Sequence, residues 1–179
     1  MMQNKLIFGI TGGTGSGKSY VTGLFSKYNA YILDMDKLGH KVLSTSAYDE
    51  IVEKFGKKIL DLDGKIDRKK LGSIVFSDKL ALDNLNKIMY PRIRELTYIE
   101  VSNALLIHDI IVLDGAVIFE VGLDKICTHV ILVISDEKLR IGRILARDKI
   151  DKEHAVNRIK SQRDYTKMIK LVDIVIENN

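Results

Sequence analysis

Eight residues near the start of the chain, Gly12-Gly13-Thr14-Gly15-Ser16-Gly17-Lys18-Ser19, constrain it more than anything else in its 179 residues. They fit G-x-x-x-x-G-K-[ST] at each specified position and follow the apolar stretch Ile7–Thr11 directly. A short β-rich run ending in clustered glycines reads as a buried strand and a tight loop. From Lys18 to about Tyr28 the pattern turns helical, with Val21, Leu24, Phe25 and Tyr28 at i, i+3, i+4 and i+7. Strand, loop and helix in that order form the setting in which this pattern cradles phosphate. Glycines let several backbone N–H groups converge on one anion, and the helix aims its positive end at the same place. Lys18 is placed to reach the β- and γ-phosphates, and the Ser19 hydroxyl to ligate Mg²⁺. A dinucleotide-binding G-x-G-x-x-G is excluded, because Gly13, Gly15 and Gly17 are spaced G-x-G-x-G and run straight into Lys-Ser.

The remaining pattern supplies a sheet for this loop. Ala30–Leu33, Ile110–Leu113, His129–Ile134 and Leu171–Ile176 read as further strands. Helical patterns cover Glu137 to about Lys149 and Lys152 to about Arg163. Residues 37–108 contain no strong strand. Ile51, Val52, Phe55 and Ile59 suggest one helix there; a turn at Asp61–Gly64 follows, then a helix through Leu71, Ile74 and Val75. Ser77-Asp78 is expected to cap the next helix, and Pro91 to break or start one continuing through Ile93, Leu96 and Ile99. The expected fold is α/β: a parallel-sheet P-loop core (about 1–36, 109–136 and 165–179) with a helical insertion (about 37–108) and a helical lid (about 137–164), in one domain.

Acidic residues gather at the expected strand ends, which in a parallel sheet face the ligand crevice. Asp34 and Asp36 follow the second strand, where one could hold Mg²⁺ through water and the other orient an acceptor hydroxyl; a cap for the helix from Lys37 competes with this reading. Asp114 ends Ile110–Leu113 and suits metal or water contact as well as it suits a turn. Arg140, Arg143 and Arg147 share a helix face, and Arg158 and Arg163 add a further basic group. Arg143 and Arg147 suit a lid that neutralises transferring phosphate, whereas Arg140 reads as solvated. The four histidines lack metal-ligand spacing.

Composition narrows the class without naming a function. Net charge is +4, which suits a small polyanion such as a nucleotide and is too slight to demand nucleic acid. The longest apolar runs fall far short of the ~20 residues a membrane helix needs, and Met1–Lys5 leads into no recognisable signal peptide. The lone Cys127 reads as a packed thiol and agrees with a cytoplasmic location.

Several segments, taken in order, resemble the dephospho-coenzyme A kinases. These are Ile10–Ser19, Ile32–Asp36, Phe55-Gly56, Asp63–Arg68, Ile74–Ser77, Pro91–Arg94, Arg143–Asp148, Arg158 with Gln162, and Asp173–Asn178. The chain departs from the family pattern at Tyr20, at Leu38-Gly39-His40, at Tyr90 and at Ala116–Ile118. The resemblance implies transfer of the ATP γ-phosphoryl group to the ribose 3′-hydroxyl of dephospho-coenzyme A, with Mg²⁺. It implies Lys18, Asp36 and Arg143 as catalytic groups, and an ATP site of Gly13, Thr14, Gly15, Ser16, Gly17, Lys18, Ser19, Tyr20, Arg143 and Arg147. Thr11, Asp36, Arg94 and Asp114 would meet the acceptor, while Ser19 and, through water, Asp34 would hold the metal. No nucleic-acid or membrane partner is implied. A kinase of another small acceptor, such as a nucleoside monophosphate, and a non-catalytic nucleotide switch are the alternatives.

Overall fold

The computed structural model describes residues 5–160 and 168–179. The chain groups into two compact units, Met1–Asp34 with Asn103–Asn179, and Met35–Ser102.

The first unit is built on five strands: β1 (Leu6–Gly12), β2 (Tyr31–Asp34), β3 (Ile110–Asp114), β4 (His129–Ile134) and β5 (Ile174–Glu177). They lie in the order β2-β3-β1-β4-β5, every neighbouring pair parallel. Strands buried on both faces need apolar side chains at consecutive positions, and Ile111–Leu113 and Val130–Val133 are buried without a break. Parallel pairing also demands crossovers, supplied around α1 (Lys18–Leu24), α6 (Ile118–Val121), α7 (Glu137–Asp148) and α8 (Lys152–Lys160). Ile10, Val21, Val112, Ile131 and Val133 form a core that Phe8, Phe25, Ile32 and Ile176 pack against. This places β1 at the centre, its carboxyl end beside those of β3 and β4.

Two boundaries differ from the sequence pattern. The first helix keeps α-geometry only to Leu24 and tightens into a 3-10 turn over Phe25–Tyr28, ending at Asn29 in the left-handed region (φ 55°). Asparagine tolerates that conformation, so the chain reverses sharply into β2. The last strand starts at Ile174 rather than near Leu171, because Asp173 occupies the edge of the ladder. Its N–H donates to Val130 O (3.0 Å), and its carboxylate accepts from Val130 N (2.7 Å).

The second unit is helical: α2 (Met35–Ser44), α3 (Tyr48–Phe55), α4 (Arg68–Val75) and α5 (Lys79–Ala104), with a short antiparallel bridge between Leu60 and Ile66. Gly56 ends α3 before Ile59, which sits in a separate 3-10 turn. Asp67 caps α4 by accepting from Lys70 N (3.2 Å) and Lys69 N (2.8 Å), which holds its carboxyl below the usual range. Asp78 accepts from Leu80 N as the expected cap of α5. Pro91 neither breaks nor starts α5 but lies inside it. An interior proline costs ~3 kcal/mol; burial of Ile88 and Ile93 on either side, about 1.5–3 kcal/mol each, offsets it. Among the described residues no helix is long and apolar enough to cross a membrane.

Candidate functional site

The residues of the glycine-rich segment close over the end of β1. Gly17 immediately precedes α1 with φ 86°, and a Cβ there would collide with Asn178 Nδ2. Gly15, at φ 76°, lets Arg140 O come within 2.7 Å of where its Cβ would lie. Glycine is therefore required at both by backbone angle and by close approach. The amide of Ser16 turns back to Gly13 O (3.1 Å), and those of Tyr20 and Val21 to Gly17 O (2.9 and 3.2 Å). The first amides of α1 lie at the start of a helix, where a dipole favours anions.

Thr11 and Ser16 are buried, with hydroxyls that have no hydrogen-bond partner among the described residues. The Ser16 side chain thus points into the protein, so any contact it makes with a nucleotide comes from its backbone. Ser19 and Tyr20 are exposed at the start of α1.

Register puts the carboxylates where the strand ends predict. Asp114 pairs with Ile10 on one side and with Asp34 on the other. The Lys18 ammonium forms an ion pair with the Asp114 carboxylate, both side chains mostly buried. The cation meant for phosphate is therefore held beside the loop by a neighbouring acid. Asp36 lies two residues past β2, in the first turn of α2, and Arg94 is exposed on α5; both belong to the helical unit.

α7 meets the loop through three arginines. Arg143 Nη1 lies near Asn178 O (2.9 Å), Ser135 Oγ (3.1 Å), Gly15 O (3.3 Å) and Ser16 O (3.4 Å). A guanidinium on the Gly15 and Ser16 carbonyls polarises those two peptides. Arg147 donates to Thr14 Oγ1 (3.3 Å) and binds Asp148 through two bonds (2.7 and 2.9 Å). That contact, aided by Arg158, holds the Asp148 carboxyl below its ordinary range. Arg140, which the charge pattern left on a solvated face, is half-buried, and its Nε donates to Thr14 O (3.0 Å).

Two further loop partners carried no assigned role in the sequence reading. Asn178 Nδ2 donates to Ser16 O (3.0 Å), and Ser135 follows β4 by one residue. Their signal is weak: neutral polar residues just past apolar strands. Gln162 and Arg163 lie outside the described residues. Cys127 packs as expected; its Sγ donates to Leu123 O (3.2 Å), and burial pushes the thiol up to about 12.

A wholly parallel sheet whose central strand runs into a glycine-built anion cradle, with lysine and strand-end acid beside it, is the architecture of the P-loop kinases. That class holds the molecule. Residues 6–179 match the family model for dephospho-CoA kinase, and the chain belongs to the dephospho-CoA kinase family. It is 40% identical to the Dephospho-CoA kinase of Fusobacterium nucleatum, covering 97% of this chain and 90% of that protein. A crystal structure of TT1252 from Thermus thermophilus superposes with a TM-score of 0.84 at 29% identity, over 98% of this chain and 90% of that one. Dephospho-CoA kinase from Campylobacter jejuni superposes at 0.65 with 30% identity, over 97% and 88%.

Proposed function

We propose that this kinase transfers the γ-phosphoryl group of ATP to the ribose 3′-hydroxyl of dephospho-CoA, giving CoA in the last step of its synthesis. The observation that carries the reading is the Lys18–Asp114 pair at the carboxyl edge of the sheet, beside the glycine cradle. An incoming polyphosphate competes with Asp114 for Lys18, while the loop amides and the helix dipole receive its remaining charge. Arg143 braces the loop, and Arg147 lies one turn further along α7 with its guanidinium on Thr14. Arg140 and Arg143 anchor α7 to the loop; the region from Arg147 to Arg163, whose last residues lie outside the described ones, is expected to move and exclude water before transfer.

The donor set fits Mg²⁺. The Ser19 hydroxyl and the Asp34 carboxylate are hard oxygen donors. Among the described residues no group of three or more His, Cys, Asp or Glu forms a closed metal cage. Ser19 and, through water, Asp34 would hold the ion, which would supply charge neutralisation for the transferring phosphate. Asp36 orients the acceptor hydroxyl and takes its proton, with Arg94 and Asp114 as further acceptor contacts and Tyr20 on the ATP side; Thr11, expected beside the acceptor, is wholly buried and offers it no surface. The chain works as one kinase unit, cytoplasmic, with small-molecule substrates and no nucleic-acid partner.

Mass spectrometry of products from ATP, Mg²⁺ and dephospho-CoA tests the substrate; turnover only with a nucleoside monophosphate overturns it. Asp36→Asn is expected to lower kcat by about 10²–10⁴ with the ATP KM little changed. Wild-type turnover at saturating substrates would remove Asp36 from its role.

A further inference from the structure

Asp148 is the last residue of α7, at the negative pole of the helix dipole, where a carboxylate is disfavoured. Guanidinium groups from two helices converge on it and offset that cost. Arg147 Nε and Nη2 donate to its two oxygens (2.7 and 2.9 Å), and Arg158 Nη1, from α8, donates to Oδ2 (2.6 Å). The acid side chain is only 20% exposed, against 60% and 52% for the two arginines. The chain leaves α7 at the next residue: Lys149 is left-handed (φ 52°), and its N–H closes the final turn on Leu145 O (3.2 Å). The carboxylate therefore stands at the corner between α7 and α8 with a cation from each. An acid beside a phosphate site repels the ligand, so its use lies in what it does to the arginines.

A guanidinium presents its donors in a planar fork. Two bonds to one carboxylate fix the plane of that fork, and Arg147 Nη2 also reaches Thr14 Oγ1 (3.3 Å) on the phosphate loop. Nε and Nη2 are thereby turned to the protein, which leaves Nη1 for an incoming phosphate. Without the acid, so exposed a side chain would have to be ordered afresh in each turnover. We propose that Asp148 is a positioning residue for phosphoryl transfer: it orients Arg147 over the loop and sets Arg158 beside it, so that two guanidinium groups are in place before the γ-phosphoryl group moves. Charge growing on the equatorial oxygens of that group then meets donors already ordered. Asp148 itself touches neither substrate. The inference rests on the reading of ATP as donor and dephospho-CoA as acceptor.

A double-mutant cycle on the full chain, read by initial rates with ATP, Mg²⁺ and dephospho-CoA, tests it. Asp148→Asn keeps the shape and removes the charge. It is expected to lower kcat about 10–100-fold, the worth of a charge-assisted hydrogen bond, with the dephospho-CoA KM within about twofold. Arg147→Gln should lower kcat at least as far. In the Arg147→Gln background the further loss from Asp148→Asn should shrink to about threefold or less, because the main group it positions is gone. Asp148→Glu, which keeps the charge, should recover much of the loss. A merely structural acid would cost the same factor in both backgrounds and lower the melting temperature with it. Because a carboxylate is disfavoured at that helix end, its removal leaves α7 able to fold. A kcat loss under about tenfold for Asp148→Asn, or a loss above about threefold in the second background, overturns the role. A wild-type enzyme that makes no CoA removes the substrate reading instead; additive losses in an enzyme that does make CoA remove only the role of Asp148.

Discussion

The tightest point in the phosphate loop is Gly17, whose missing side chain leaves room for Asn178 Nδ2 on its way to Ser16 O. Gly17→Ala has two separable costs. Holding an L-residue at φ 86° costs about 1–2 kcal/mol. The new methyl also expels Asn178, and losing that hydrogen bond costs about 1 kcal/mol. The substitution should therefore destabilise by about 2–3 kcal/mol, and Asn178→Ala alone by about 1 kcal/mol. In the double variant the methyl meets no amide and the bond is already gone, so its cost should again be about 2–3 kcal/mol rather than the 3–4 of independent sites. The coupling of about 1 kcal/mol exceeds the 0.3–0.5 kcal/mol scatter of ordinary additivity. Urea unfolding at 25 °C followed by far-UV circular dichroism can read it in a chain without tryptophan. Strict additivity of the three variants would show that Asn178 and Gly17 do not share this space.

Lys18→Ala should lower kcat/KM by about a hundredfold or more, measured by coupled ADP release; a loss under threefold would leave the ion pair with Asp114 as its only role. Burial holds Cys127 near 12, above the ordinary 9.0, so the thiol is neutral at pH 8 and should react with iodoacetamide far more slowly than free cysteine. Its contribution to stability is present below pH 9 and fades as pH rises toward 12; rapid alkylation of the folded enzyme at pH 8 would contradict the packing. Asp67→Ala should lower the melting temperature by uncapping α4. The depressed carboxyl makes the wild-type advantage present above about pH 4 and lost as pH falls below it, so a melting difference that persists unchanged at pH 2 would refute the cap.

The sheet was readable because burial on both faces writes itself as unbroken apolar runs, as at Ile110–Leu113 and His129–Ile134. The cradle was readable because its backbone angles demand glycine. Features decided by direction or by distant partners were not. The pattern names Ser16 but cannot say that its hydroxyl turns inward. Charge spacing grouped Arg140 with Arg143 and Arg147 without showing that Thr14 O lies within its reach. Asp173 delayed β5 by pairing its own side chain with Val130, a choice that apolar periodicity does not register. Pro91 survived inside α5 because packing on both flanks outweighed a local rule.

The bond from Asn178 to Ser16 joins residues 162 positions apart. Residues 12–19 leave the ribosome early, yet the strut that fixes their shape exists only after residue 178 has been made and β5 has docked. Until then the loop lacks one of its supports, and a nucleotide captured by a nascent chain would be held by a looser cradle. Ligand binding during synthesis should therefore tighten late, in step with completion of the sheet rather than with emergence of the motif.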